Sequence, residues 1–86
     1  MLVKCKEVPD EGFAALLEQR VMLFGVNYIY AGKLVGVNDT FVKLEDAHIV
    51  YETGPFAEKG YKDAQRLPGD AFYVQRALIE SFGPGK

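Results

Sequence analysis

The sequence predicts a small, mainly β domain, built as a barrel of about five strands behind one short α-helix. Three observations predict it. The 86 residues allow one hydrophobic core and leave too little chain for a second. From Val21 onward, β-branched and aromatic residues dominate. Gly32 and Gly36 fall on the same face of one strand, and a small closed barrel needs glycines where its strands bend sharply.

The helix is predicted over about residues 11–19. Asp10 suits the N-cap, Glu11 suits the first turn, and the apolar residues that follow recur at helical spacing. These apolar residues are Phe13, Leu16 and Leu17. We interpret the stripe as facing the core, because a membrane-binding face would carry more basic residues opposite it. Residues 1–9 are expected to form a short edge strand or an ordered N-terminal arm.

The strands are predicted between turn signals. Breaks at residues 25–27 and 37–39 separate a first strand, a second over 28–36 and a third over 41–52, which is long enough to bend across the barrel. Strand-like residues return over 71–82, and the glycine-rich residues 83–86 are expected to be a frayed, flexible tail.

One long loop is predicted over residues 52–70. Glycine and proline interrupt every regular pattern there, and loops of such length in compact domains are functional or disordered. Basic and aromatic residues interleave in it, so we expect candidate ligand contacts at Lys59, Tyr61, Lys62 and Arg66. The alternative is a solvated excursion or a flap that contacts a neighbour, since Glu58 and Asp63 offset part of the positive charge.

Composition argues against an enzyme. The chain holds one His, one Ser and one Cys, which makes a nucleophilic triad or a transition-metal site improbable, and we expect no cofactor and no metal. The adjacent acids Glu45 and Asp46 would point to opposite faces of a strand, which suits a surface better than acid–base chemistry.

Ten basic against twelve acidic residues give a net charge of −2, so any nucleic acid must be bound by a local patch. The single Cys and the lack of a long apolar run favour a cytoplasmic protein without membrane contact.

Two short motifs carry a resemblance to a known family. Residues 30–42 read YAGKLVGVNDTFV and are followed by EDA at 45–47. This run resembles the first motif of the Sm-like proteins, which include the bacterial RNA chaperone Hfq. QRA at 75–77 is similar to a degenerate form of the Arg-Gly in the second motif. The likeness covers about residues 11–82, and it implies a five-stranded Sm-like (SH3-like) barrel whose edge strands pair between neighbours in a homo-oligomeric ring of five to seven copies.

The resemblance also implies site residues at the ring pore. Asp39 would brace the turn after the second strand, Phe41 would stack on an RNA base, and Arg76 would reach the base or phosphate beside it. Lys43 would add positive charge at the same place. The segment between Phe41 and residue 45 is about two residues shorter than in the family, so its base-reading asparagine is either deleted or replaced by Lys43. Two alternatives stay open: Phe41 in the barrel core, and Arg76 in an ordinary salt bridge.

Two functions follow as hypotheses. The first is a ring that binds single-stranded RNA at its pore, as a chaperone or scaffold in RNA metabolism and without chemistry of its own. The second is an oligomeric scaffold of the same fold that binds protein and not RNA, because a fold does not determine a function.

Overall fold

The computed structural model describes residues 11–86, and the predicted arm at residues 1–9 and the predicted N-cap Asp10 lie outside the described residues. The described chain is mainly β, as predicted. Its elements in order are a 3₁₀-helix η1 (Ala14–Leu16), strands β1 (Arg20–Gly25), β2 (Ile29–Val37), β3 (Phe41–Glu52), β4 (Asp63–Arg66) and β5 (Phe72–Gln75), a second 3₁₀-helix η2 (Arg76–Leu78) and strand β6 (Ile79–Pro84).

The strands form one antiparallel sheet of six strands in the order β4-β3-β2-β1-β6, with β5 also paired to β3. β2 pairs with one edge of β3, and two strands share the other edge. The first four residues of β3 pair with β5, and its residues from His48 onward pair with β4. Among the described strands, β6 pairs only with β1. The sheet is therefore open, and the predicted closure of a five-stranded barrel is not observed.

The predicted helix over residues 11–19 is wrong. Only the single turn η1 forms, between residues with positive φ at Gly12 (+77°) and Glu18 (+68°). The backbone N–H of Glu18 donates to the Leu34 carbonyl at 2.7 Å, and Leu34 N–H donates back to the Gln19 carbonyl at 2.9 Å. Pairing with β2 thus starts two residues before β1 and leaves too little chain for an α-helix.

β2 bends where the sequence places its glycines. Its register against β3 shifts at two places, one spanning Gly32 and one ending at Gly36. A Cβ at Gly32 would lie 3.0 Å from the Glu45 carbonyl oxygen and 3.1 Å from the Ala47 Cα, so the close approach of β3 favours glycine there. At Gly36 an added Cβ would meet only the Lys43 side chain, at 3.5 Å. Such shifts bend a strand and increase its twist.

Both faces of β1 are buried, which divides the core in two. The main cluster consists of Val21, Leu23, Leu34, Val42, Leu44, Ala47 and Val74, with Phe13 and Leu16 packed against it. The second cluster consists of Met22, Ala31 and Val50, with Tyr61 packed against it. Two residues of the predicted apolar stripe, Phe13 and Leu16, thus reach the core from a shorter element, whereas Leu17 is exposed.

The predicted loop over residues 52–70 contains a strand. β3 extends to Glu52 and β4 (Asp63–Arg66) pairs with it, which leaves two irregular segments of the predicted loop, residues 53–62 and 67–70. The end of the described chain is also bonded rather than frayed: β6 includes Pro84, and the Gly85 N–H donates to the Arg20 carbonyl at 2.9 Å.

Candidate nucleic-acid interface

The turn between β2 and β3 is braced by Asn38. Its Oδ1 accepts hydrogen bonds from the backbone N–H groups of Thr40 and Phe41, both at 2.8 Å, and its own N–H donates to the Phe41 carbonyl at 3.0 Å. A side-chain amide oxygen that accepts from backbone N–H groups two and three residues further along the chain mimics a backbone turn. The bracing expected of Asp39 therefore belongs to the residue before it, and the Asp39 side chain is exposed at the tip.

Phe41 points away from the core. Val42 and Leu44 are fully buried in the main cluster, and side chains alternate along a strand, so Phe41 and Lys43 lie on the opposite face. The Phe41 ring is half-buried and meets the Tyr73 ring edge-on, with centroids 5.1 Å apart. The alternative of a core Phe41 is thereby excluded, and Tyr73 keeps 54% of its surface exposed beside it.

Arg76 reaches the same turn from η2. Its Nη1 donates to the Asn38 carbonyl at 2.8 Å, and its backbone N–H donates to the Thr40 carbonyl at 2.9 Å. The guanidinium lies 5.2 Å from the centre of the Phe13 ring. Within the described residues its partners are thus a carbonyl and an aromatic ring, and no carboxylate lies within salt-bridge distance of it.

The register of β3 against β5 brings the predicted residues together. Phe41 pairs directly with Gln75, and Lys43 pairs directly with Tyr73. Directly paired side chains on one face lie about 5 Å apart at Cβ. We call the group of Phe41, Lys43, Tyr73 and Arg76, with Asp39 at its rim, the turn surface. Phe41, Lys43 and Tyr73 lie on the face that the main cluster does not use, and Arg76 joins them at the turn, from beside Phe13.

A cavity of about 250 Å³ adjoins this surface. It lies between the β1–β2 turn and β5, and its walls include Tyr28, Tyr30, Tyr73, Gln75 and Leu78. Tyr73 belongs to both features, so the aromatic surface continues from the turn into the cavity. This cavity was not predicted from the sequence. The signal that could have indicated it is the pair Tyr28 and Tyr30, at alternate positions just after the β1–β2 turn.

The loop residues predicted as ligand contacts lie elsewhere. β4 pairs with the far half of β3, so the 53–62 segment and β4 are at the opposite end of β3 from Phe41. Lys62 Nζ pairs with Glu52 at 3.3 Å, Arg66 Nε pairs with Asp46 at 3.0 Å, and the Tyr61 hydroxyl accepts a hydrogen bond from the Lys86 N–H at 3.2 Å. The structure shows Lys59 exposed on the same segment. The two predicted groups thus do not form one site.

Asp46 is the electrostatic centre of that other end. Its carboxylate accepts from Arg66 at 3.0 Å and from Arg20 at 3.1 Å, which ties β3 to both β4 and β1. The hydrogen bond from Arg66 is the main cause that lowers the pKa of Asp46 below its ordinary value of 3.8; partial desolvation opposes it, and Arg20 adds to it. Asp46 has φ of +49°, a conformation that Asp and Asn tolerate better than most residues.

Residues 11–86 bring no three His, Cys, Asp or Glu side chains into a group able to hold a metal ion. In the same part of the chain, no helix is both long and apolar enough to cross a membrane. Comparison with protein-family models and with curated proteins finds no match.

Proposed function

We propose that the chain binds single-stranded RNA on the turn surface, as a ring-forming Sm-like protein without catalytic activity. The observation that carries the proposal is Phe41: it is held off the core and packed edge-on against the exposed Tyr73, at the turn whose Asn38 carbonyl binds the Arg76 guanidinium. Exposed aromatic rings next to cations are the usual means of holding unpaired bases and their phosphates.

The chemistry of the turn surface suits a sequence-tolerant binder. Every base has a π-face, so stacking on Phe41 or Tyr73 requires no particular base. Lys43 and Arg76 supply the positive charge that the chain lacks overall, and a guanidinium can bond a phosphate with two N–H groups. The Asn38 side chain is engaged with the backbone of the turn, which leaves it poorly placed to read a base edge.

The edges of the sheet support the ring. β6 at one end, and β5 and β4 at the other, each have a single strand partner among residues 11–86. Unpaired edges attract other strands, and natural proteins cover or pair them. We infer that β6 of one copy pairs with the opposite edge of the next, which completes the barrel-like arrangement between copies and gathers the turn surfaces around one axis.

Phe41→Ala tests the stacking role. Fluorescence anisotropy against short oligouridine and oligoadenine should show binding weakened by about 1 to 3 kcal/mol, the usual loss for one stacked base. Tyr51→Ala is the matched control, because Tyr51 is equally an aromatic on β3, is 57% exposed, and lies at the far end of the strand. Equal losses for both variants, or none for either, would remove Phe41 from the site.

Arg76→Ala tests the phosphate contact. The slope of log affinity against log salt should become shallower by about 0.7 for one lost single-strand phosphate contact. Arg66→Ala is the control, since Arg66 is bonded to Asp46 at the other end of the molecule. An unchanged slope in the Arg76 variant would leave Arg76 as a brace for the turn, through its bond to the Asn38 carbonyl.

A protein-binding scaffold is the second candidate, and the observation that favours it is the apolar rim of the cavity. Val26, Tyr28 and Leu78 are 65%, 54% and 51% exposed around it, and exposed apolar groups in a cluster are typical of protein contact sites. If neither oligonucleotide binds at low salt, this function replaces RNA binding.

A further inference from the structure

The Lys86 ammonium is enclosed by the irregular segment between β3 and β4. Its Nζ donates to three backbone carbonyls, those of Thr53 at 2.7 Å, Pro55 at 2.9 Å and Gly60 at 2.7 Å. Two aromatic rings complete the enclosure, with Nζ 5.1 Å from the centre of Tyr61 and 5.8 Å from that of Phe56. A primary ammonium has three N–H donors, so each donor has one carbonyl acceptor. We call these five loop residues the ammonium cage.

The backbone of the loop is shaped to present these carbonyls. Gly54 and Gly60 have φ of +68° and +74°, values that side chains disfavour, and they flank the loop. Within it, the Glu58 N–H donates to the Pro55 carbonyl at 3.1 Å, which closes a tight turn. At its base the Lys62 N–H donates to the Thr53 carbonyl at 3.4 Å. The carbonyl oxygens of the cage thus converge through local backbone geometry.

The cage covers the second core cluster. Tyr61 packs against the cluster of Met22, Ala31 and Val50, and its hydroxyl accepts the Lys86 N–H at 3.2 Å. Lys86 is in turn fixed to β1, because Arg20 Nε donates to its carbonyl at 3.0 Å. The lysine therefore links β1 to the loop above the cluster.

We propose that residues 53–61 form a binding site for a primary alkylammonium group, and that Lys86 fills this site from the same chain and thereby holds the loop over the second cluster. Charge-assisted hydrogen bonds are stronger than neutral ones, and cation–π contacts add a smaller contribution at an exposed site such as this one, where Phe56 is 64% exposed. A quaternary ammonium has no donor for the carbonyls. Acetylation of Lys86 would remove its charge and leave one N–H, so the site is also a place where modification would release the loop. The inference is independent of RNA binding.

Lys86→Met, with and without n-butylammonium chloride, tests the proposal. Hydrogen exchange of the 53–62 peptide and tryptic cleavage after Lys59 and Lys62 should accelerate about tenfold in the variant, the effect of losing charged hydrogen bonds worth about 1.4 kcal/mol. Millimolar n-butylammonium should restore the slow rates, whereas tetramethylammonium at equal concentration should not. Lys33→Met is the matched control, because Lys33 pairs with Glu18 on the exposed surface and should leave the loop unchanged.

Rates unchanged in Lys86→Met, or equal restoration by the two cations, would overturn the proposal. Exchange in the β2–β3 amides reports whether the variant keeps its fold. Phe56→Leu provides a second variant that retains the lysine: removal of one ring should accelerate loop exchange severalfold, and no change there would equally count against the cage.

Discussion

Asn38 shows how one side chain determines the position of the turn surface. Its Oδ1 satisfies two backbone N–H groups at the tip between β2 and β3, and its carbonyl receives the Arg76 guanidinium. Phe41 is one of the two residues whose N–H it accepts, so the amide also sets where β3 begins.

Asn38→Ala should therefore lower the free energy of unfolding by about 0.5 to 1.5 kcal/mol, because it removes two exposed hydrogen bonds whose N–H groups water can then reach. Urea denaturation measures the loss. Asp39→Ala is the control and should change the free energy of unfolding little, since its side chain is exposed at the tip. A larger loss at Asp39 than at Asn38 would return the bracing role to the acidic residue.

Asp46 makes stability depend on pH. Its pKa is lowered in the folded chain, so the folded state favours the ionised carboxylate more than the unfolded chain does. This contribution is fully present above the ordinary value of 3.8 and is lost as pH falls below it through the folded value. Asp46→Asn keeps the backbone conformation accessible and should destabilise the protein at pH 6 more than at about pH 2, as read from urea midpoints. A difference from wild type that stays constant across this range would show that the charge contributes nothing.

At the scale of elements, β2 depends on one glycine more than on the other. A Cβ at Gly32 would press on the backbone of β3, whereas one at Gly36 would touch only the flexible Lys43 side chain. Gly32→Ala should cost about 1 to 3 kcal/mol, as overpacking does, and Gly36→Ala should cost clearly less. Thermal unfolding of the two variants side by side tests this; equal costs would mean that β3 can move away from Gly32.

The elements also show what the sequence could and could not predict. β2, β3 and their turn were predictable, because β-branched residues, glycines and Asn38-Asp39 give local signals. β4 was not, since its residues DAQR have no β-branched or aromatic member and are held by pairing with β3. The predicted α-helix is wrong for a related reason: η1 is cut short where Glu18 donates a hydrogen bond to Leu34 and Gln19 accepts one from it, a long-range contact that no helical spacing reveals.

The same distinction applies to the sites. Phe41 and Arg76 carry motif-level signals and do meet at one turn. The face of β3 on which Phe41 lies could not be predicted from the motif, because a slip of one residue in the strand register would move its side chain to the opposite face of the sheet. The cavity joins segments far apart in sequence, and so does the contact of Lys86 with the ammonium cage. The hydrogen-bond acceptors of the cage are backbone carbonyls, whose positions residue types do not encode.

At the scale of the whole molecule, pairing of the sheet edges between copies would compensate for the small core. Each edge strand has a single partner among residues 11–86. A domain of this size buries a modest share of its surface, and the main cluster holds seven buried residues. Pairing of edges between copies would add buried surface. If the ring forms, the melting temperature should rise with protein concentration, because assembly stabilises the folded state by mass action.

Scanning calorimetry over a hundredfold range of concentration, with sedimentation equilibrium at the same concentrations, makes this measurement. We expect a mass of five to seven copies and a rising melting temperature. A constant melting temperature with the mass of one chain would contradict the ring while leaving the turn surface on each copy to be tested by the RNA titrations.

The strand order has a further consequence, for folding kinetics. β2 and β3 are joined by a three-residue turn and make contacts that are local in the chain, whereas β1 and β6 pair residues as far apart as Val21 and Pro84. Bringing β1 and β6 together closes the larger loop of chain, and this costs more conformational entropy before any contact compensates for it. The β2–β3 hairpin should thus be structured in the folding transition state and β6 should dock last, so that the strand we propose to pair with a neighbouring copy should also be the first to detach.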